Sequence, residues 1–517
     1  MAIAGGAGFV AAPSAPGCNP LTGSRGEVAR GAGLAGLARG GAAIEAIAQP
    51  LYVWLFGLST YGVYAALWGG VNFITNIVNL SLPMALQRIV PSAEAETRVH
   101  AAVKIALIAS VVPALLVTGV IHLFANRLAD LFYGSSQHAT QLADGIALFA
   151  WALPLWTFVE VATAAVRARR RFGAEIRIRI FWEQLARLLF AAGFYFLGLH
   201  VTGLLVAHLC SLMLVAVLSW RLLGRHYDLR LLVRAPMPVT LVREVLLSGL
   251  ALLPSNLSRR ALIDAPPLLL NLLIPGGKGA AAAGLFEIGR KISTIPHIVR
   301  QSFQYVLAPF AAAGARANRQ ELKPLYHFAA RASAALVVPL AGLVVFAGPL
   351  ILRIYVSEAA AALPVLIILA GARAVEAIAG PATTLVEMVG HRALPTLNST
   401  LAILAWLGVA LWLVPDMGAT GMALAVAAGI LTSSYAALLA LQVEGLSPFD
   451  HLLARGLAIS LPGVCLMGVV QVLVPGIAGL VLLISIWAIS TWGALRFGLA
   501  AEDRAAFGSL SRRLRLV

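Results

Sequence analysis

The chain has 517 residues, of which 60% are hydrophobic and 12% charged, with a mean hydropathy of +0.88. A soluble globular protein carries about 25% charged residues, so that class is excluded and a polytopic membrane protein is expected. The net charge of +16 would point to nucleic acid in a soluble chain, but here the positive-inside rule accounts for it and no nucleic-acid partner is expected. Cys18, Cys210 and Cys465 lie too far apart to form a disulfide framework or a metal motif.

Residues 1–32 are rich in Gly, Ala and Pro and lack periodicity, which predicts a disordered cytoplasmic tail. A signal peptide is the weaker reading. No basic segment precedes an apolar run, and Ala15-Pro16-Gly17-Cys18 is a poor lipoprotein cleavage site. Fourteen apolar spans of about 20 residues follow, the length that crosses a bilayer. They run over 33–56, 61–85, 101–124, 142–166, 178–198, 202–220, 245–274, 281–307, 329–349, 359–388, 393–414, 418–441, 453–474 and 476–498.

The basic residues orient these spans. Of 38 Lys and Arg, 28 fall in the N-tail, in the loops after even-numbered spans or in the C-tail. Three (Arg127, Lys278, Arg353) fall on the opposite side and seven lie inside spans, and 28 + 3 + 7 accounts for all 38. Both termini are therefore expected in the cytoplasm. The Arg167–Arg179 cluster reads first as a topology determinant and second as an attractor of anionic lipid headgroups. The expected organisation is an N-lobe of six spans (33–220), a cytoplasmic linker (221–244), a C-lobe of six spans (245–441), two further spans (442–498) and a cytoplasmic tail (499–517). Gln49-Pro50 in span one and Pro254 with Pro266-Pro267 in span seven interrupt corresponding spans of the two halves. Such interruption marks either a transporter's binding site or ordinary kinked packing.

A charged side chain at mid-bilayer costs about 2.5–3.5 kcal/mol on insertion scales, so polar stripes inside spans must face protein or water. Span eight carries such a stripe. Glu287, Arg290, Thr294, His297, Gln301 and Gln304 are spaced 3, 4, 3, 4 and 3, which places them on one helical face. Spans seven and eight hold Arg259, Arg260, Arg290, Lys291 and Arg300 against Asp264 and Glu287, an excess of three positive charges. Arg260 and Asp264 can pair at i, i+4, as can Glu287 with Lys291, and Arg290 is at i+3 from Glu287. Arg259 has no charged partner in its own helix, and Arg300 is expected near the cytoplasmic end, with a snorkelling side chain. Because Arg suits bidentate phosphate binding, the five cations are candidate ligands of an anionic head group. The alternative is interhelical salt bridging to Glu45, Glu160 or Glu387.

Other seams add candidate lining. Span two offers Asn72 and Asn76 beside Tyr64, Trp68, Thr75 and Asn79. Span ten offers Arg373, Glu376, Thr383, Thr384 and Glu387, and span one offers Glu45, Gln49 and Tyr52. Amides and aromatic rings suit sugars, while for any one residue polar adhesion between helices is an equal reading. Glu183 and Arg187 are expected to neutralise each other in span five. Glu45 and Glu160 lack local partners and are candidate carriers of a coupling proton.

Local wording now carries a resemblance. Gly57-Leu58-Ser59-Thr60-Tyr61-Gly62-Val63-Tyr64, Asn79-Leu80-Ser81-Leu82-Pro83-Met84-Ala85-Leu86-Gln87-Arg88, Arg169-Arg170-Arg171-Phe172 and Phe286-Glu287-Ile288-Gly289-Arg290-Lys291, with Pro309 at the end of span eight, resemble the polysaccharide-transport (Wzx-type) flippases. These belong to the multidrug/oligosaccharidyl-lipid/polysaccharide exporter superfamily. Each motif is loose; the set, spread over nearly the whole chain from about residue 30, is what matches. The resemblance implies a two-lobed, V-shaped protein of the bacterial inner membrane that flips undecaprenyl-pyrophosphate-linked repeat units by alternating access. It implies no bond chemistry, no cofactor, and coupling to a proton or sodium gradient. Implied partners are the lipid-linked oligosaccharide, membrane lipids and polysaccharide polymerase machinery, with the protein itself a monomer. Within the implied basic cavity, Arg259, Arg290 and Lys291 are the foremost head-group ligands.

Three rivals compete. A drug exporter of the same superfamily usually has twelve spans and favours cations. A peptidoglycan-precursor flippase shares the superfamily. A membrane polymerase or ligase needs a sizeable outward loop, which this chain lacks.

Overall fold

The computed structural model describes residues 42–133, 137–169, 177–199, 202–317, 322–389, 393–505, 507, 509–513 and 515, nearly all of them helical. The expected tail at 1–32, the start of span one and residues 170–176 of the basic cluster lie outside the described residues. Helix is what the medium demands of Ala- and Leu-rich spans, because hydrocarbon supplies no partner for a main-chain N–H.

Span one corresponds to α1 (Ala42–Phe56), and Gly57 at φ 81° turns the chain into α2 (Leu58–Val78). Span two is broken. Leu80 and Ser81 sit in the left-handed region (φ 49° and 58°), and α3 (Leu82–Ser92) departs at 44° from α2. Then come α4 (Glu96–Leu123), α5 (Ala125–Tyr133), α6 (Gln137–Phe149), α7 (Ala152–Ala168), a π-turn at Arg177–Trp182 leading into α8 (Glu183–Phe196), and α9 (Gly203–His226). Short α10 (Leu229–Arg234) precedes α11 (Val239–Asp264), α12 (Pro266–Leu273) and the long α13 (Gly277–Ala317). The rest is α14 (Leu322–Leu352), α15 (Leu363–Ile378), α16 (Ala382–Val389), α17 (Ala393–Val443), α18 (His451–Leu473), α19 (Ile477–Gly498), α20 (Ala501–Ala505) and α21 (Ser509–Arg513). Gly418 (φ 54°, ψ −125°) folds α17 into two arms, with Gly429 of the second lying against Ala402 and Trp406 of the first. These arms correspond to spans eleven and twelve.

Among the described residues, eight helices are long and apolar enough to cross a membrane alone, or nine with the bent pair α2–α3. The expected count of fourteen exceeds this for physical reasons. Span one is described only from Ala42, span five opens in a π-turn and leaves a 14-residue helix, spans seven and eight carry intramembrane charge, and the α17 hairpin counts once.

Helix α2 is the seam between the two groups of helices. It packs on α11, α12 and α13, and glycine permits the approach. A β-carbon on Gly62 would lie 1.7 Å from the Ala280 carbonyl oxygen, and one on Gly69 would lie 2.2 Å from that of Asp264.

Much of the expected 221–244 linker is helical, since α9 runs on to His226, α10 spans Leu229–Arg234 and α11 begins at Val239. Asp228 caps α10 by accepting from the N–H groups of Arg230 (2.8 Å) and Leu231 (3.3 Å), and those donors hold its carboxyl below the usual range. Lys104 donates to the carbonyls of Val233 (2.6 Å) and Ala235 (3.1 Å), and the Asp228 N–H donates to His100 Nε2 (3.1 Å). The linker is thus strapped to α4, which leaves Pro236-Met237-Pro238 as the segment between the strap and α11. At the other end, α18 and α19 pack on α14. Arg331 of α14 bonds both Asp450, the N-cap of α18, and Asp503 (2.7 Å) of α20.

Candidate functional site

The broken span two walls a cavity between α2, α7 and α11. On α2, Asn72 Nδ2 donates to the Trp68 carbonyl (3.0 Å) and Asn76 Nδ2 to that of Asn72 (2.7 Å), a ladder set by the four-residue helical repeat. At the break, Asn79 Oδ1 accepts the Ser81 N–H (2.9 Å), while its Nδ2 donates to Glu160 Oε2 of α7 (3.2 Å). Asn256 of α11 crosses from the other side and donates to Asn76 Oδ1 and Ser81 Oγ, both at 3.2 Å. Arg259 then donates to Asn256 Oδ1 (3.2 Å). The result is a continuous polar seam between the two groups of helices.

This seam walls a chamber of about 240 Å³. Among the described residues its cationic lining is Arg167, Arg179, Arg259 and Arg260, and Glu160 is the one carboxylate. Arg179 approaches Glu160 at 3.5 Å and Arg260 at 4.0 Å, and Arg260 also faces Asp264 at 3.6 Å. The Arg260 pairs are longer than a charge-assisted hydrogen bond of about 2.7–2.9 Å, so an incoming anion can compete for its donors. Arg179 Cζ stands over the Trp156 ring, 4.5 Å from its centroid, a cation–π contact at the chamber wall.

A second, narrower cleft of about 20 Å³ lies between α1, α2, α8 and α13. Gln49, Tyr52, Tyr64, Arg187, Glu287 and Lys291 are among its lining residues. Here Arg290 grips Glu287 in two bonds of 2.6 and 2.8 Å, and Lys291 stands 3.9 Å from the same carboxylate. Thr294 turns inward to donate to the Arg290 carbonyl (3.0 Å), and Gln301 bonds His297 (2.7 Å).

The candidates therefore separate. Asn76, Glu160, Arg259 and Arg260 come together in the chamber, with Asp264 beside Arg260. Glu287 and Lys291 line the cleft, and Arg290 is bound to Glu287. Asn72 is buried on α2 between them. Arg300 does not snorkel. It is buried and pairs with Glu376 of α15 at 2.9 Å, where Arg373 also bonds Glu376 (2.8 Å). Its apolar neighbours on α13 leave burial with a carboxylate as the stable alternative to open water. Glu387 is exposed on α16 and interacts electrostatically with Arg259. The side chains of Glu45 and Gln304 lie outside the described residues. The sequence reads Arg167 and Arg179 as topology determinants or as attractors of lipid headgroups, not as cavity lining, and does not single out Asn256. Four-residue spacing from Asn256 to Arg260 is the signal that would have flagged it.

Residues 55–363 match the polysaccharide biosynthesis protein family. No curated protein matches the chain in sequence. Among solved structures, the lipid II flippase MurJ in an inward closed conformation is similar at TM-score 0.69 and 11% identity, covering 89% of this chain and 97% of that one. An inward-facing multidrug resistance transporter of the MATE family in the same MOP superfamily is similar at 0.58 and 14%, covering 83% and 96%. The Vibrio cholerae MATE transporter VcmN in its bent form is similar at 0.54 and 12%, covering 81% and 97%. At these identities the likeness establishes the fold alone, one shared with MurJ and the MATE transporters.

Proposed function

The chain belongs to the polysaccharide biosynthesis protein family, and from that premise we propose that it flips undecaprenyl-pyrophosphate-linked oligosaccharide across the bacterial inner membrane. One observation carries the reading: the interhelical chamber sets four guanidiniums against one carboxylate, with an amide seam alongside. Guanidinium forks match phosphate oxygens bidentately, and amides match sugar hydroxyls. The pyrophosphate would sit on Arg259, Arg260, Arg167 and Arg179, while the lipid tail stays in the bilayer. Lys291 and Arg290 would meet the head group as it passes the cleft between α2 and α13.

Alternating access would proceed by rocking of the two helix groups across the α2 seam, pivoting at Pro236-Met237-Pro238. No bond is made or broken, so the protein acts as a transporter, driven by an ion gradient. Wzx-type specificity, both termini in the cytoplasm and the polymerase partnership are part of the same proposal. A second reading, a peptidoglycan-precursor flippase, is favoured by the MurJ-like fold. It uses the same pyrophosphate chemistry.

The test is lipid analysis of a deletion strain. Accumulation of undecaprenyl-linked repeat units on the cytoplasmic leaflet, with surface polysaccharide lost, is expected and names the glycan. Accumulated lipid II would select the second reading. Normal surface polysaccharide with raised drug sensitivity would replace both with an exporter.

A further inference from the structure

The ends of α3, α4, α7 and α9 enclose a cavity of about 590 Å³ that shares no lining residue with the chamber. Its apolar lining includes Val90 of α3 and Val99 of α4, both buried. Its polar lining, among the described residues, is Glu96 of α4, Arg169 at the end of α7, and Arg225 and His226 of α9. Two guanidiniums and an imidazole therefore face one carboxylate.

Each polar group is held from behind. Arg169 Nη2 donates to Glu96 Oε2 (2.6 Å), and its guanidinium carbon stands 4.2 Å from the ring centroid of Tyr227. That ring is fixed in turn, because its hydroxyl donates to the Ala165 carbonyl (2.8 Å). Arg169 Nε is buried without an acceptor. His226 Nδ1 is 3.0 Å from the Leu222 carbonyl, which only accepts, so the imidazole is anchored through Nδ1–H. Arg225 is exposed, and among the described residues no hydrogen bond or ion pair holds it. Cations at the C-terminal ends of α7 and α9 complement those helix ends. That role requires neither a cavity nor a buried N–H left without an acceptor, which is a rare and costly feature.

We propose that this cavity is a second anion site, which binds a phosphate ester on Arg169, Arg225 and His226. Guanidinium forks match phosphate oxygens, and the apolar wall of Val90 and Val99 takes the carbon skeleton esterified to them. The ester comes either from a phospholipid headgroup or from a soluble phosphate, since both present the same chemistry. Glu96 tunes the site. Its carboxylate occupies one donor of Arg169 and repels an incoming anion, so it lowers affinity without closing the cavity. The site draws nothing from the flippase reading and stands whether or not that reading does.

The test uses the full-length protein in nanodiscs, with Arg259→Gln and Arg260→Gln combined as the background so that the chamber does not contribute. In one arm the discs are phosphatidylcholine and sn-glycerol 3-phosphate is titrated in by calorimetry. In the other, phosphatidylglycerol is added to the discs and retained lipid is counted by native mass spectrometry. Saturable binding is expected in at least one arm, and the arm that shows it identifies the source. Arg225→Gln, which breaks no contact within the described structure, should weaken that binding about tenfold, the effect of one charge-assisted hydrogen bond. Glu96→Gln should tighten it. Arg234→Gln, an exposed cation of α10 outside the cavity, should leave it unchanged. No saturable binding in either arm, binding indifferent to Arg225→Gln, or an equal loss in Arg234→Gln, the mark of diffuse charge attraction, overturns the proposal.

Discussion

Arg260 and Arg300 are the same residue in the same kind of apolar surroundings, yet the fold uses them oppositely. Arg260 faces a chamber with a third of its side chain accessible, and its carboxylates stand at 3.6 and 4.0 Å. Arg300 is sealed between α13 and α15 with Glu376 at 2.9 Å. Distance and access separate them: a loosely held guanidinium can serve a ligand, whereas a tightly held one serves the fold. Removing one partner of a buried pair leaves an uncompensated charge, while removing a loosely paired cation costs the fold little.

That contrast can be broken experimentally. Glu376→Ala should strand Arg300 and lower stability by about 3–5 kcal/mol, seen as loss of folded protein on thermal challenge. Replacing both partners with apolar residues, Arg300→Met with Glu376→Leu, should recover most of that loss. Arg259→Ala and Arg260→Ala should each cut export about tenfold to hundredfold, the effect of losing one charge-assisted hydrogen bond of about 1.5–3 kcal/mol, with membrane abundance unchanged. Full export by both variants would empty the chamber of its assigned role. Asn256→Ala, which opens the amide seam without altering charge, should cost about 1 kcal/mol of head-group affinity, measured as weakened pyrophosphate binding.

The smallest effect belongs to Asp450. Burial alone would raise its carboxyl, but the Arg331 hydrogen bond, the Leu453 N–H and the charges of Arg331 and His327 outweigh that and hold it below the usual range. Its stabilisation is therefore present above the unfolded value of about 3.9 and is lost as pH falls through the lower folded value. Asp450→Ala should loosen the α18–α19 pair by about 1 kcal/mol at neutral pH, the size of a lost cap, and the loss should shrink below about pH 4.

What the sequence made legible follows from the range of each interaction. The Glu287–Arg290 grip and the Arg260–Asp264 pair are written at i+3 and i+4, so helical spacing announces them. Glu376 is 76 residues from Arg300 and on another helix, and no spacing encodes that meeting. The spans were read from hydropathy, but the break at Asn79–Ser81 was not. Leu80 and Ser81 are ordinary residues forced into the left-handed region by the surrounding packing, and neither carries a glycine's local signature. Arg167 and Arg179 were hidden because a basic loop serves topology whether or not it also lines a chamber.

The break in span two has one more consequence. By interrupting the helix beside the chamber it takes peptide groups out of the regular i to i−4 ladder. The Ser81 N–H answers to Asn79 Oδ1, and the Leu80 N–H reaches back only to Ile77 (3.2 Å). These peptide groups are held by local acceptors beside the chamber rather than by the helical ladder, an arrangement of main chain that every amino acid can supply. Alanine scanning would be blind to it. Insertion of a single residue between Asn79 and Leu82, which rotates everything beyond the break by about 100°, would not be.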